Sequence, residues 1–320
     1  MALIQEPALL LRALIRNALP SSALHWVRRG RGSGRETQSA RYCYAVWMRH
    51  LVRMAASGLD AEPATIAELG PGASLGVGLA SLLTGVDRYI AFDMTRHAAA
   101  SESVRVFDDL VDLLSAKEPI PTLDEFPEVR PRLASHEFPA GILDANRISH
   151  ALAPERVAEI RGRVAADLIP YFAPWDDPAV LEEGSVDLVM SQAVMEHVAD
   201  LDHTYRAIFR WLRPGGVMSH QIDFRSHGTS AAWNGHWRFS ERRWRLVRGD
   251  AAINRLPISR HVAAIEDAGF QIVASEAELR SDGLRRDQLD PEWRALSDED
   301  MHSAGAFVQA VRPMNAVGPT

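Results

Sequence analysis

Thr65-Ile-Ala-Glu-Leu-Gly-Pro-Gly-Ala-Ser-Leu-Gly76 is the stretch on which the reading of this chain turns. Thr65 to Leu69 is a short apolar run that predicts a strand. It ends in a turn where Gly70 and Gly72 flank Pro71, and Ser74 to Leu83 continues at helical spacing. Arg88-Tyr-Ile-Ala-Phe-Asp93 reads as a second strand. Two strands joined by a helix in about 30 residues form a βαβ unit, and that implies a parallel sheet. Glycine lets the backbone turn tightly and approach a ligand closely. Two acids narrow the ligand. Glu68, two residues before Gly70, can accept from the ammonium of an amino-acid moiety but would repel a pyrophosphate. Asp93 ends the second strand, where it can take both ribose hydroxyls; its neighbour Met94 shares that position. A ribose-binding acid serves adenosyl and NAD ligands alike.

Upstream, residues 1–60 read as a helical N-terminal cap. Apolar residues recur at helical spacing in 8–19. Arg28-Arg-Gly-Arg-Gly-Ser-Gly-Arg35 then breaks the pattern, and a second helix follows from about Ser39 to Ser57 with Tyr42, Tyr44, Trp47 and Met48. The basic face of this region fits a solvated helical cap, or an amphipathic helix at an anionic membrane surface.

Downstream, residues 61–320 read as one α/β domain with two insertions. The first, at about 96–166, is proline-rich, with helices expected at 102–116 and 154–167. The strand–helix rhythm returns with Leu168–Ala173, Ser185–Ser191, a helix at about Asp202–Leu212, the turn Arg213-Pro-Gly-Gly216 and the strand Val217–Phe224. A second insertion, 225–256, precedes a helix at 257–268 and strands at Phe270–Ala274 and Gly305–Val311. Both insertions are expected to form the substrate region.

Glu68-x-Gly70-x-Gly72, Asp93, Ser185-Val-Asp-Leu-Val-Met-Ser-Gln-Ala-Val-Met-Glu-His-Val198 and Leu212-Arg-Pro-Gly-Gly-Val217 resemble, in that order, the motifs of class I S-adenosylmethionine-dependent methyltransferases. The likeness is to the broad "type 11" small-molecule branch and covers roughly 60–224. The resemblance implies a Rossmann-like seven-stranded sheet, mostly parallel with an antiparallel last strand. It implies that Glu68, Gly70, Pro71 and Gly72 hold the methionine part of S-adenosylmethionine and that Asp93 binds its ribose. Pro174 and Asp176 would flank the adenine, and Ser191 and Gln192 would line the cofactor near the sulfonium. One departure stands out. Where the family often has an acid directly after strand three, this chain has Ala173-Pro174, so either Asp176 or a backbone carbonyl takes the adenine amine.

Methyl transfer is an in-line displacement at a sulfonium carbon, so alignment is the main demand and no metal is required. His197, six residues after Ser191, is the candidate base or orienting group, because imidazole titrates near neutral pH; the alternative is a structural histidine. Its neighbour Glu196 is expected to point away. At the end of strand five, Gln221 and Asp223 face one side and His220 the other, and Gln221 and Asp223 join His197 as catalytic candidates. In the second insertion, His227, Trp237, Arg238 and Asn254 are candidate substrate contacts, against a reading of the tryptophans as packing anchors.

Composition narrows the classes further. With 47% hydrophobic and 24% charged residues, the chain of 320 is globular, not disordered. A net charge of -7 argues against a general nucleic-acid binder. Cys43 is the only cysteine, so intrachain disulfides and Cys-based zinc sites are excluded, and a reducing cytoplasm fits. Lys117 is the only lysine among 35 basic side chains, which nearly removes lysine chemistry. No run approaches the ~18 apolar residues of a membrane span. The expectation is therefore a cytoplasmic methyltransferase acting at O or N of a small-molecule acceptor such as a sugar, nucleoside-like compound or secondary metabolite. A non-catalytic methyltransferase-like binding module is the alternative, with an NAD-dependent oxidoreductase behind it.

Overall fold

The computed structural model describes residues 35–175, 177–247 and 253–315. The first apolar helix of the expected cap, at 8–19, and Asp176 lie outside them. One sheet contains seven strands: β1 (Thr65–Leu69), β2 (Arg88–Phe92), β3 (Tyr171–Phe172), β4 (Val186–Gln192), β5 (Leu212–Asp223), β6 (Gln271–Leu279) and β7 (Ser303–Val311). Their order is β3-β2-β1-β4-β5-β7-β6. The first five are parallel; β7 lies antiparallel between β5 and β6. This is the seven-stranded, mostly parallel sheet expected from the sequence.

Helices cover both faces, as a buried parallel sheet requires. Alternation along β1 sends Ile66 to one side and Ala67 and Leu69 to the other. On the first side lie α1 (Ala40–Ala56), α2 (Gly76–Leu82), α3 (Ala100–Ser115), α4 (Ala145–Ala151) and α5 (Pro154–Ala165). On the second lie α6 (Leu201–Trp211) and α8 (Ile258–Asp267), the latter following the short α7 (Glu241–Val247). α9 (Asp298–His302) leads into β7. The helix starts are specified locally. Ser39 caps α1 by accepting from the Tyr42 N–H, and Asp200 caps α6 by accepting from the His203 N–H. No helix of the described residues is long and apolar enough to cross a membrane.

Two strands differ from the sequence reading. β3 keeps only two residues of the expected six-residue run. Pro170 and Pro174 bracket it on an edge strand, and a proline offers the ladder no donor. β5 instead starts early, at Leu212. The expected Arg213–Gly216 turn stays in the ladder because Gly215 adopts φ +76 and its N–H reaches the Arg312 carbonyl at 2.7 Å.

The two insertions are packed layers. α3 and α5 share the core of α1 and α2, so most of 96–166 is the crossover between β2 and β3. Arg49 of α1, 1% exposed, fastens the rest by donating to the carbonyls of Pro121 and Pro131. The 225–256 segment joins the β6–β7 connection in a small separate core of Trp233, Trp237, Leu289 and Met301. Its tryptophans are packing anchors.

Four imidazoles, His50, His220, His236 and His261, are buried, and loss of hydration holds each down at about 3, against an ordinary 6.5. Between those values the unfolded chain binds protons that the folded chain refuses, so stability falls as pH falls. Glu68, pushed up to about 8, and Glu196, driven well above the usual carboxylate range, work the other way, but with two protons against four. The unfolding free energy from urea titration is expected to drop from about pH 6 to 5 by at least ~1.4 kcal/mol per pH unit. A flat free energy over that window would refute the neutral, buried state of these rings.

Candidate functional site

The candidate site gathers at the carboxyl edge of β1, β2, β4 and β5. The turn after β1 places Gly70 at φ +67 and Gly72 at φ +78, a region that side chains rarely adopt. The Gly70 N–H donates to the Phe92 carbonyl at 2.7 Å, tying the turn to the end of β2. A Cβ on Gly70 would lie 2.5 Å from Val194 Cγ2, so the loop after β4 rests directly on this turn. From the other side Thr37 reaches in. Its hydroxyl accepts from the Ala73 N–H at 2.9 Å and the Ser74 N–H at 3.3 Å, and the Ser74 hydroxyl donates to its carbonyl. Pro71 is buried within the turn.

Glu68 lies beneath the turn. Its carboxyl is 3% exposed and accepts from the Tyr89 hydroxyl at 2.6 Å. Burial pushes it up to about 8, against the lowering effect of the Tyr89 bond and of the Gly78 N–H in the first turn of α2. In this position Glu68 braces the glycine turn. Asp93 stands at the edge itself, half-buried, with Oδ1 accepting from the Met94 N–H at 2.7 Å. Met94 is 66% exposed beside it, and Pro174 is exposed after β3.

Along β4 and β5 the side chains pair across the strands. The Ser191 hydroxyl lies 2.7 Å from His220 Nδ1, both buried on the α6 side. The Ser191 side chain is therefore closed off from the edge, and only its backbone is left for the sulfonium-lining role. On the opposite face Gln192 donates to the Gln221 side-chain oxygen at 3.0 Å, and Gln221 donates to the Ile222 carbonyl. Gln221 is thereby a buried cross-strand tie.

Beyond β4 the chain makes a single 3-10 turn, Met195–His197. His197 is exposed on it, with its ring centroid 5.1 Å from that of His227. Asn254 holds this turn down. Its side-chain amide donates to the carbonyls of Met195 and Val198 at 2.9 and 3.1 Å, its N–H donates to that of Glu196 at 2.6 Å, and its side-chain oxygen accepts from the Leu256 N–H. Glu196 points inward at 2% exposure, where neither carboxyl oxygen finds a hydrogen-bond partner; burial drives that carboxyl well above the usual carboxylate range.

Asp223 takes a two-pronged bond from Arg225, both arms 2.7 Å, and lies 3.3 Å from His227 Nε2. Burial pushes its carboxyl up, but His227 and Arg225 outweigh that and hold it well below the ordinary value. An anion so stabilised is a poor proton acceptor and a good anchor for an imidazole. These groups open on a cleft of about 370 Å³ lined by Asp223, Arg225, His227, Trp233 and Arg280.

Two candidate substrate contacts are corrected here. Trp237 is fully buried, its N–H spent on the Arg255 carbonyl at 2.9 Å, and every polar group of the Asn254 side chain is engaged within the protein. Both build the walls. Arg238 is half-buried with its guanidinium 6.0 Å from the Phe239 ring. His227 is the member of that set placed at the cleft. Thr37 and Val194 carry no signal in the sequence, and Glu196, expected to point away, turns inward beside the candidate base.

Residues 173–219, from the end of β3 into β5, match the family model described as a methyltransferase domain. No curated protein matches the chain. Among solved structures, the chain is similar to geranyl diphosphate C-methyltransferase from Streptomyces coelicolor A3(2), in complex with Mg2+, geranyl diphosphate and S-adenosyl-L-homocysteine, at 13% identity over 83% of this chain and 76% of that one (TM-score 0.43). It is similar to an S-adenosylmethionine-dependent methyltransferase from Mesorhizobium loti at 15% identity over 84% and 98% (TM-score 0.41). A third similar structure is the cyclase SpnF, at 13% identity over 83% and 81% (TM-score 0.42). The matched segment, described as a methyltransferase domain, contributes β4 and the start of β5 to the sheet of order β3-β2-β1-β4-β5-β7-β6.

The brace under the turn makes a discriminating prediction. Glu68 is largely protonated near neutral pH, so Glu68→Gln keeps its charge state and most of its bonding and is expected to cost less than ~1 kcal/mol. Glu68→Ala removes an acceptor from two buried donors and leaves a cavity, at roughly 2–4 kcal/mol. Equal losses for the two variants in urea unfolding would sink this assignment.

Proposed function

We propose that the protein transfers a methyl group from S-adenosylmethionine to an oxygen or nitrogen of a small acceptor that enters at the carboxyl edge of the sheet. The observation that carries this reading is the meeting of three loops there: the glycine turn after β1, Asp93 after β2, and the Val194–His197 loop after β4, which rests on the turn through Val194. An adenosyl ligand spanning the first two would bring its sulfonium towards the third. Asp93 would hold the ribose, and Gly70 and Gly72 would let the backbone come close to the methionine part. The backbone of Ser191 and the side chain of Gln192 would border the sulfonium, with Pro174 near the adenine.

His197 would then act on the acceptor. It is exposed and steadied from below by Asn254. In an in-line displacement the acceptor atom attacks the methyl carbon as the carbon–sulfur bond breaks, and His197 takes the proton the acceptor gives up. Asp223 orients His227 beside it. The dinucleotide-binding alternative fits less well, because the usual strand order of that fold has no antiparallel strand between the fifth and sixth. The single cysteine suits a reducing cytoplasm.

Calorimetry with S-adenosylmethionine, its demethylated product and NAD separates the readings. Binding of the two sulfur compounds and not NAD is expected; no sulfur-compound binding at ~100 μM defeats the proposal. Asp93→Ala should weaken cofactor binding by ~1.5–3 kcal/mol through loss of charge-assisted hydrogen bonds. His197→Ala should slow turnover by ~10²–10⁴ and leave cofactor affinity within about twofold. Unchanged turnover would remove His197 from the base role.

A further inference from the structure

We propose that Glu196, His197 and His227 form a binding site for one divalent transition-metal ion of the zinc type, at the mouth of the cleft beside the β4 and β5 ends. Each residue presents one donor atom, and the three atoms lie within 4.8 Å of one another. Donors bound to one zinc ion at about 2.1 Å stand roughly 3–3.5 Å apart, so rotations that move each donor on the order of 1 Å would close the set. The three come from two different segments, the turn after β4 and the loop after β5, which the Asn254 bonds and the Asp223–His227 contact bring side by side.

The independent sign of a missing ligand is Glu196. Glu196 is 2% exposed, and neither carboxyl oxygen makes a well-formed hydrogen bond; the backbone N–H groups of Glu196 and Asp223 favour its charged form, but less than burial opposes it, and His197 Nε2 stands 4.0 Å away. A buried carboxyl left in this state carries a full desolvation cost, and buried carboxylates are ordinarily paired or bound to a metal. The carboxyl lies among two imidazoles and no guanidinium bonds it, so a cation is the partner that the geometry supplies for.

The donor set fixes the class of ion. Two imidazole nitrogens with one carboxylate oxygen suit zinc, cobalt, iron or nickel, whereas magnesium and calcium favour all-oxygen sites. Asp223, 3.3 Å from the His227 ring and itself locked by Arg225, supplies the outer carboxylate that steadies a metal-bound imidazole. His197 is exposed and His227 lines the cleft, which leaves the remaining coordination positions turned towards solvent, for water or an oxygen of a bound acceptor; a bound ion occupies the His197 ring and so excludes its role as base while it stays bound.

The test uses the full chain, stripped with a chelator, and no S-adenosylmethionine. Its outcome is therefore separate from that of the methyl-transfer reading. Titration with Zn2+ by calorimetry, and with Co2+ followed by visible absorption, is expected to give one saturable site per chain. Titration with Mg2+ is expected to give none. His227→Ala, a change at an exposed position, should weaken Zn2+ and Co2+ binding at least 100-fold with an unchanged circular dichroism spectrum. Glu196→Gln should weaken it comparably and alter the cobalt spectrum. No saturable binding, binding that both variants leave intact, or a site that takes Mg2+ in preference to Zn2+ would each overturn the proposal.

Discussion

A buried carboxyl group sits under the turn that the carboxyl edge is built around. Glu68 leaves β1 pointing towards the α2 layer, takes the hydroxyl of Tyr89 from β2, and faces the first-turn amide of Gly78 in α2. Strand, neighbouring strand and helix are thus joined at one group. The arrangement constrains its neighbours. A Cβ at Gly78 would come within 2.0 Å of the Tyr89 ring, so the ring can cross under the helix only where there is no side chain. A charged carboxylate here would be costly to bury, and a carboxyl that stays protonated avoids that cost. With this corner rigid, the glycine turn above it can hold its two left-handed residues, and the loops after β2 and β4 have a fixed surface to rest on.

The chain's preference for arginine shows in how its loops are held. Guanidinium offers five donors in a fork, and several here are spent on main-chain carbonyls that would otherwise be buried without partners. Arg147 donates to the carbonyls of Thr84, Ile142 and Ala61 and so joins α4 to the loops beside α2 and β1. Arg312 does the same for the end of α6, donating to the carbonyls of Phe209 and Leu212. Arg255 lies between the Trp244 and Trp293 rings, 5.0 and 4.9 Å from their centres, and donates to the Phe239 carbonyl. At Arg147 the three carbonyls are met by three different nitrogens, a spread that the single nitrogen of a lysine lacks. The preference for arginine over lysine thus supplies a set of structural clamps.

What the sequence discloses is what local chemistry decides. β1 and β2 end within one residue of the expected limits, because glycine, alternation and the following helix are all written in neighbouring positions. The 225–256 segment is different. A run with Trp233, Trp237 and Trp244 reads equally as the wall of a pocket or the core of a lobe. The deciding partners of Trp233 and Trp237, namely Leu289, Trp293 and Met301, are more than fifty residues away. The same holds for Asn254, whose amide is committed to carbonyls nearly sixty positions earlier. Thr37 was illegible for a related reason: a lone hydroxyl after an Arg-Gly run carries no sign that it will meet the amides of Ala73 and Ser74.

Backbone strain gathers at the same edge. Ala193, His227 and Arg255 all have positive φ, at +53, +46 and +63, though none is glycine. Each such residue costs on the order of 1–3 kcal/mol and persists only where its surroundings over-determine it. They do so here. The Ala193 N–H is bound to the Gln221 carbonyl at 2.9 Å, His227 is held by Asp223, and Arg255 is wedged between two indoles. A relaxed exit from β4 and β5 would send the two following loops apart. The strained exits turn them towards each other, which sets the His197 and His227 rings 5.1 Å apart above an inward carboxyl. The rigid sheet and the arginine-clamped layers around it provide the stability that lets this corner hold a conformation the chain would not choose locally.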